Sequence, residues 1–527
     1  GSSGFFFGFG SSQDFANSSQ VIAFAVAGGL GLPDRDYYVK DDERSVKLRE
    51  QYREHVERMF RLLGDDADAA EQEAATVLEL ETALAQASLT RTEKRDPYRL
   101  FHKMSRAQLQ KLTPEFDWSA YLKGVGLSRV KTLNVTEPKF YETLGQQWRD
   151  ADIGKLRTYL RWHLAHDAAA TLARAFVEED FAFYGKTLRG VPQMKPRWKR
   201  CVAAVDGQLG EALGQEFVRR AFGPELKRDT LKMTRQVEQA MEQDIRQLDW
   251  MSPPTKQKAL AKLHAIVNKI GYPDKWRDYR SIQVARDDFA GNVMRANVFE
   301  SKRQLAKIGK PLDRGEWQMT PPTVNAYFDP QMNDINFPAG VLQPPLYDPK
   351  MDDAPNYGNT GGTIGHELTH GFDDEGRQFD ARGNLKDWWT KGDAKHFEER
   401  AQCIVDQYAQ YVIVDDIRIN SKLTEGEDIA DLGGLVLAWM AWEAQTASHP
   451  AESRDGLSPE QRFFVGYAQW ACENVRDEDL RVSAITNPHS PGKYRVNGLV
   501  VNMPEFAKAF ACEKGQAMVS EKPCRVW

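Results

Sequence analysis

The chain has 527 residues, of which 41% are hydrophobic and 28% charged, and its formal net charge is −6. This length exceeds what one compact core usually holds, so two or more lobes are expected. The chain contains no lysine- and arginine-rich block, which argues against a nucleic acid as partner. No apolar run reaches the roughly 18 residues that a membrane span needs.

Residues 1–60 contain clusters of glycine, serine and aromatic residues and are predicted to be rich in loops. The segment "VIAFAVAGGLGL" at 21–32 is too short for a membrane helix, and we interpret it as a buried strand or hairpin. A helical pattern follows from Tyr37 to Leu63.

From about residue 66 to residue 270, apolar residues recur at helical spacing with charged residues between them. Examples are "LKMTRQVEQAMEQDIRQLDWM" at 231–251 and "KALAKLHAIVNKIGY" at 258–272. Pro253 and Pro254 break the pattern between these two segments. We predict a mainly helical lobe here.

Two short β-prone runs follow, around Val324–Phe328 and Ile335–Phe337, with a polar turn between them. Helical patterns then return in "HFEERAQCIVDQYAQY" and in "EGEDIADLGGLVLAWMAWEAQ". The second half of the chain is therefore predicted to combine helices with a small sheet.

The segment "TIGHELTHGFDDEG" at 363–376 indicates a metal site. His366 and His370 are four residues apart, so on a helix both imidazoles point to the same side. Ile364 and Leu368 can then face a core. Imidazole is a common zinc ligand, and Glu367 is placed to take a proton from a water on that zinc.

A catalytic zinc needs a third protein ligand. The metzincin pattern requires a histidine at position 376, where this chain has Gly376, so that class is excluded. A glutamate on a second helix is the other solution, and "EGEDIADLGG" offers Glu427 and Asp431 on one helix face. On spacing alone other glutamates remain alternatives to Glu427: Glu425, Glu398 and Glu399.

Asp373 lies three residues after His370 on the same helix face. A carboxylate there could hold the second nitrogen of a ligand histidine. An acidic residue that merely ends the helix is an equally good interpretation of this position.

Several motifs in order along the chain resemble the neprilysin family of zinc metallopeptidases, which includes endothelin-converting enzyme and bacterial oligopeptidase O. These are "GGLGLPDRDYY", "LDWMSPPTKQKALAKL", "VNAYFDPQMNDINFPAGVLQPP", "GHELTHGFDDEGRQFDARGNLKDWW", "GEDIADLGGL", "NPHSPGKYRVNG" and the terminal "CRVW". The similarity spans nearly the whole chain.

The resemblance implies a set of site residues. It makes Glu427 the third zinc ligand, with one zinc ion per chain, and assigns Asp431 and Asp373 to support the ligand histidines. His489 matches a histidine that stabilises the oxyanion of the tetrahedral intermediate. Arg495 matches an arginine that binds the substrate carbonyl near the cut bond.

The resemblance also implies how a peptide binds. Asn325 and Ala326 match the edge strand that pairs with the peptide backbone, a sequence-tolerant mode of binding. The adjoining apolar pocket, which should favour a large apolar residue just after the cut bond, is implied to include Val341, Leu346, Thr363 and Trp470.

For the fold, the resemblance implies a mainly α (α+β) protein. A thermolysin-like zinc catalytic lobe with a small sheet, formed by residues 1–95 and 285–527, is expected beneath a helical cap lobe, residues 96–284, that encloses a central cavity. The family pattern also pairs Cys403 with Cys524 in a disulfide.

The expected function is a zinc-dependent endopeptidase that hydrolyses oligopeptides, with Glu367 as general base. The family implies an extracytoplasmic location, oligopeptides as the partners, and a monomer. One alternative is a zinc exopeptidase, although the chain has no GxMEN-type motif to capture a free amine. The other is a catalytically impaired peptide-binding protein of the same fold.

Overall fold

The computed structural model describes residues 5–447 and 452–527. The strands of these residues are β1 (Phe7–Asp14), β2 (Asn17–Ala27), β3 (Lys103–Ser105), β4 (Thr132–Val135), β5 (Val267–Gly271), β6 (Tyr327–Asp329), β7 (Asp334–Pro338), β8 (Val412–Val414) and β9 (Ile417–Arg418).

Helices make up most of the remaining structure, in agreement with the predicted mainly α class. They are α1 (Asp36–Val39), α2 (Glu43–Leu62), α3 (Ala67–Ala87), α4 (Pro97–Leu100), α5 (Arg106–Leu112), α6 (Trp118–Gly124), α7 (Pro138–Asp150), α8 (Ile153–Ala168), α9 (Arg174–Asp180), α10 (Arg197–Ala221, interrupted at Leu209), α11 (Pro224–Gln247), α12 (Pro253–His264), α13 (Phe289–Leu305), α14 (Asp353–Asn356), α15 (Gly362–His370), α16 (Lys391–Tyr408), α17 (Ser421–Thr446), α18 (Pro459–Trp470), α19 (Asp477–Thr486), α20 (Gly492–Val500) and α21 (Pro504–Ala509).

The chain forms two compact units, each assembled from separate segments. Unit 1 comprises Gly1–Arg200, Arg280–Leu312 and Arg476–Thr486, and unit 2 comprises Cys201–Tyr279, Asp313–Val475 and Asn487–Trp527. The boundaries of these units differ from those of the predicted lobes. The predicted catalytic lobe comprised residues 1–95 and 285–527, and the predicted cap lobe comprised residues 96–284.

Strand pairing explains the difference for unit 1. Its sheet has the order β1-β2-β4-β3, in which β2 pairs in parallel with β4 through Ala23 and Leu133. The N-terminal hairpin is thereby bonded to the segment after residue 96. Repeating helical patterns carry no information about such long-range pairing, so the sequence could not indicate it.

The N-terminal residues form more regular structure than the predicted loops. β1 and β2 form an antiparallel hairpin with Phe7 opposite Ala27. Ala23, Phe24 and Ala25 are buried, so the predicted buried strand within residues 21–32 is confirmed. Glycines and serines in β1 concealed the strand, because they lack the β-branched or aromatic side chains that usually indicate one.

A buried carboxylate lies at the centre of unit 1. Glu81 has no exposed surface, and its oxygens accept hydrogen bonds from Tyr38 Oη at 2.6 Å, Tyr52 Oη at 2.8 Å and Trp162 Nε1 at 3.2 Å. His163 Nε2 lies 2.9 Å from the same carboxylate. A buried carboxylate is tolerated only when it has such partners. Since the partners lie on different helices, the contacts also hold α1, α2, α3 and α8 together.

In unit 2 the predicted helical segment 258–272 divides into a helix and a strand. α12 begins at Pro253, where prolines are tolerated, and ends at His264. Val267 and Ile270 then lie in β5, which pairs in parallel with β7 in a sheet of order β5-β7-β6. The β-branched residues after His264 favour a strand, and this pairing outweighs the helical spacing.

The C-terminal residues of the chain are fixed to unit 2. Cys403 in α16 and Cys524 form a disulfide, as the resemblance implied. Trp527 is only 2% exposed and contacts the Phe372 ring at 5.7 Å between centroids. None of the helices found in residues 5–447 and 452–527 combines the length and the apolar character that crossing a membrane would require.

Candidate active site

The helix α15 presents the His-Glu-x-x-His residues to one side. It follows a π-helical turn at Tyr357–Gly361, a wide turn of a kind that is common at functional sites. Ile364 and Leu368 are fully buried on the opposite side, in the main core of unit 2. His366 and Glu367 are also largely buried, with 8% and 5% of their surface exposed.

The long helix α17 packs against α15 at very short range. A Cβ atom on Gly434 would lie 2.3 Å from the backbone nitrogen of His366, and a Cβ on Gly365 would lie 2.3 Å from the carbonyl oxygen of Gly434. Side chains cannot be accommodated at that separation, so glycine is required at both positions. This close approach brings Glu427, two helical turns before Gly434, beside the two histidines.

Three side-chain atoms from the two helices converge on one point. His366 Nε2 and His370 Nε2 are 2.9 Å apart, and Glu427 Oε2 lies 3.3 Å from the former and 3.6 Å from the latter. Glu367 offers a carboxylate oxygen within 4.8 Å of the histidine nitrogens, so it lies beside the same point.

This set of atoms fits a zinc ion. Tetrahedral zinc with bonds of about 2.0–2.1 Å holds its ligands about 3.3 Å apart, close to the measured spacings. Glu427 Oε2 is buried, and imidazole nitrogens of His366, His370 and His489 lie 3.2 to 3.6 Å from it. A buried carboxylate oxygen that faces several imidazole nitrogens suits a cation at their common point.

Each of the two imidazoles is backed by an aspartate on its Nδ1 side. Asp431 Oδ1 lies 2.8 Å from His366 Nδ1, and Asp373 Oδ2 lies 2.7 Å from His370 Nδ1. A carboxylate on Nδ1 fixes the tautomer and directs Nε2 outward, which increases the basicity of the imidazole toward a metal. Both aspartates therefore lie where the sequence predicted them, each beside one histidine.

The two glutamates of the site have opposite pKa shifts. Burial raises the pKa of the Glu367 carboxyl above its usual value, although His366 and His370 partly oppose the effect. Burial would also raise the pKa of Glu427, but the adjacent His370 and His366 hold it well below its usual range. Such a separation suits one carboxylate to bind a cation and the other to transfer a proton.

His489 and Arg495 also lie at this site, and they contact its acidic residues. His489 Nε2 lies 3.2 Å from Glu427 Oε2. Arg495 donates two hydrogen bonds to Asp431, each 2.7 Å long, and its guanidinium lies 4.5 Å from the centre of the Trp470 ring. The family resemblance implied both residues at the site, but the sequence gave no indication of the pairing between Arg495 and Asp431.

The predicted substrate strand is shorter in the structure than in the sequence interpretation. β6 begins at Tyr327, opposite Asn336 of β7, so Asn325 and Ala326 precede the strand and Val324 is exposed. In this register Asn325 would face Pro338, which has no N–H to continue the ladder. β6 is nevertheless at the edge of its sheet within the described residues, as expected.

The predicted pocket residues all belong to unit 2 and are partly buried. Val341 and Trp470 pack against the main core of this unit, and the carbonyl of Leu346 accepts a hydrogen bond from Thr360 Oγ1. Thr363 Oγ1 donates to the carbonyl of Asn359 in the preceding turn. These contacts fix the backbone around the four side chains while leaving part of each exposed.

Two features of the site escaped the sequence analysis. One is the contact between Gly365 and Gly434, which the glycine before His366 and the pair in "DLGG" could have indicated. The other is the bidentate pair of Arg495 with Asp431, which are 64 residues apart and share no sequence pattern.

The geometry defines a zinc metallopeptidase site of the His-Glu-x-x-His class with a glutamate beside it. The family models of peptidase family M13 match the N-terminal part at residues 1–273 and the catalytic part at residues 325–526. The chain therefore belongs to peptidase family M13, which confirms the resemblance to neprilysin, and it is a zinc metalloendopeptidase.

Individual relatives agree with this assignment. Endothelin-converting enzyme 1 of Mus musculus is 34% identical over 531 residues, which cover 98% of this chain and 69% of the mouse protein. The crystal structure of zinc metalloprotease Zmp1 of Mycobacterium tuberculosis with an inhibitor has a TM-score of 0.95 and 38% identity, over 99% of this chain and 80% of that one. PepO of Lactobacillus rhamnosis, with 24% identity and a TM-score of 0.88 over 98% of this chain and 81% of that one, shares the fold.

The packing of α15 on α17 can be tested with a single methyl group. We expect Gly434→Ala to lower the free energy of unfolding by about 1–3 kcal/mol, because the Cβ would displace the backbone at His366. It should also weaken zinc binding, since it separates Glu427 from the histidines. Chemical denaturation and metal titration measure the two effects.

Gly207→Ala is the matched control, because its Cβ in α10 would meet no atom within 4 Å. We expect that variant to keep the zinc affinity of the wild type and to be at least as stable, because alanine favours a helix more than glycine does. Equal behaviour of the two variants would contradict the interpretation of the Gly434 contact.

Proposed function

We propose that His366, His370 and Glu427 bind one zinc ion per chain and that Glu367 is the general base of peptide hydrolysis. The observation that carries this proposal is the convergence of the three ligand atoms on one point, where the Glu427 oxygen is buried beside the imidazole nitrogens. The M13 assignment supports zinc as the metal.

A zinc ion held by His366, His370 and Glu427 would polarise the peptide carbonyl and lower the pKa of a water molecule toward about 7. Glu367 accepts the proton of the attacking water and later donates it to the leaving amine. Asp431 and Asp373 hold the histidines so that both Nε2 atoms keep their direction.

His489 and Arg495 stabilise the carbonyl oxygen as it becomes negative. His489 lies on the same side as Glu427, with its imidazole partly exposed, so its Nε2 can reach a substrate oxygen. Arg495 is already fixed by Asp431 and by the Trp470 ring, so little reorganisation is needed when the charge develops. Donors placed before the reaction stabilise a transition state more than donors that must first reorient.

The substrates are oligopeptides, bound in an extended conformation along the segment from Asn325 to β6. Asn325 is exposed just before this edge strand and can offer its backbone groups to a peptide. Val341, Leu346 and Trp470 supply apolar surface, with Thr363 nearby, for a large apolar residue on the C-terminal side of the cut.

An extracytoplasmic location and a monomeric state complete the proposal. The disulfide between Cys403 and Cys524 supports an oxidising compartment, because such bonds are rare in reducing ones. The catalytically impaired alternative lacks support, since Glu367 and both histidines are present and assembled.

The third ligand can be tested by metal analysis. We expect Glu427→Ala to lose zinc to a chelator that leaves the wild type loaded, because two imidazoles alone hold the ion weakly. Glu425→Ala is the control, since that carboxylate pairs with Lys422 Nζ at 3.2 Å on the same helix. Unchanged zinc retention in Glu427→Ala would place the third ligand elsewhere.

Glu367 is expected to act after the metal has bound. Glu367→Gln keeps the shape of the side chain and removes the base, so we predict normal zinc content and a kcat/KM lower by roughly 10² to 10⁴. Steady-state hydrolysis of a fluorogenic peptide, together with zinc analysis of the same sample, measures both quantities. Turnover near that of the wild type would contradict the mechanism.

The pocket predicts the position of cleavage. Product mapping on a mixed peptide set should show cuts before Phe, Leu, Ile or Met, and Leu346→Ser should reduce that preference by about tenfold, as expected for a lost apolar contact. Val412→Ser, which changes an exposed strand residue, should leave the preference unchanged. Cuts mainly before Asp or Lys would rule out the apolar pocket.

A further inference from the structure

Unit 2 contains a fully buried lysine that the mechanism does not use. Lys262, in the last turn of α12, has no exposed surface. Its Nζ lies 5.5 Å from the centre of the Phe372 ring and 6.0 Å from that of Phe328. Burying an ammonium group in such surroundings is costly, so the fold must gain something from it.

Lys262 forms hydrogen bonds to the turn that follows α15. Lys262 Nζ donates hydrogen bonds to the carbonyl oxygens of Gly376 at 2.6 Å and Phe379 at 2.7 Å. The Lys262 carbonyl in turn accepts from Asn333 Nδ2 at 3.1 Å, in the connection between β6 and β7. The turn at 376–379 is therefore attached through one side chain to α12.

The aspartate beside His370, Asp373, lies just before this turn. Asp373 Oδ1 accepts from the backbone nitrogens of Glu375 at 2.9 Å and Gly376 at 2.7 Å, while Oδ2 lies 2.7 Å from His370 Nδ1. The turn also folds tightly onto α15, because a Cβ on Gly376 would lie 1.8 Å from the carbonyl oxygen of His370. A shift of Gly376 would therefore move the N–H group from which the Asp373 carboxylate accepts.

We propose that Lys262 is a positioning residue of the zinc site, which fixes the Gly376 and Phe379 carbonyls so that Asp373 holds the His370 imidazole in its metal-binding orientation. The chain of contacts runs from Lys262 Nζ to the Gly376 carbonyl, and from the N–H of the same residue through the Asp373 carboxylate to His370 Nδ1. This inference rests on the proposed ligand set, in which His370 binds zinc.

The environment of Lys262 supports this role. Burial lowers the pKa of the lysine to about 7, although Asp373 and Asp380 oppose the shift. An apolar residue would pack between the two phenylalanine rings without the cost of burying an ammonium group. We therefore infer that the lysine is retained for its two hydrogen bonds. Removing them would leave two carbonyl oxygens without that donor, beside the residues that orient His370.

The test compares Lys262→Met with Lys258→Met. Methionine has a similar length and no donor. Lys258 lies one turn earlier on the same helix, is exposed, and donates to the carbonyl of Trp388 at 2.9 Å. Chelator competition gives the zinc dissociation constant, and circular dichroism reports folding. If Lys262→Met does not fold, Lys262→Leu, which likewise has no donor, takes its place.

We expect the Lys262 variant to raise the zinc dissociation constant about tenfold or more, within the range known for residues that support metal ligands. The peptide KM at saturating zinc should stay within twofold of the wild type, because the change affects the metal and not the substrate. Lys258→Met should change neither quantity. A folded Lys262 variant whose zinc dissociation constant rises less than threefold would overturn the proposal.

A second measurement separates positioning from a general loss of stability. In an Asp373→Ala background, Lys262→Met should change the zinc dissociation constant less than threefold, because the residue through which it acts is gone. An equal effect in both backgrounds would overturn the proposal. A wild-type chain that bound no zinc would instead refute the proposed ligand set.

Discussion

The candidate active site in unit 2 depends on one close contact between two helix backbones. Where Gly365 of α15 meets Gly434 of α17, there is no room for a side chain, and the helix axes approach more closely than leucine-packed helices would allow. Only at this separation does a carboxylate on α17 reach the same point as two imidazoles on α15. The other polar groups of the site are arranged around that geometry.

The charged groups of the site form pairs, and each pair fixes the orientation of one histidine. Asp431 lies between His366 and Arg495, and Asp373 lies between His370 and the backbone of its own turn. Buried charges of this kind contribute little net stability, but they fix geometry when every member has a partner. The protein therefore uses stability from its large apolar core, which includes Trp527 and the α17 side chains, to hold a polar centre in one arrangement.

The sequence allowed much of the site to be predicted, because its residues follow local rules. Two histidines four apart on a helix must share a face, and Glu427 and Asp431 repeat that spacing on α17. The exact start of β6 was less predictable, since Asn325 matched a strand pattern but the register places it opposite Pro338. Long-range partners such as Lys262 and Gly376 left no local signal, because their contact depends on tertiary packing over 114 residues.

The division of the chain into two units also could not be predicted from local sequence patterns. The pairing of β2 with β4 joins residues more than a hundred positions apart, and such pairing depends on which strands meet, not on the composition of the segment between them. The N-terminal hairpin thus belongs with helices that helical spacing alone would have assigned to another lobe.

The pairing of Arg495 with Asp431 has a thermodynamic consequence. The guanidinium that is proposed to receive the substrate carbonyl is the same group that holds the acid behind His366. Any peptide that changes this ion pair also changes the field at a metal ligand, so the two binding equilibria share a free-energy term. By linkage that term is reciprocal: whatever the metal adds to peptide affinity, the peptide must add to metal affinity. A peptide that raises the affinity for the ion would therefore itself bind more tightly to the zinc-loaded chain than to the metal-free one.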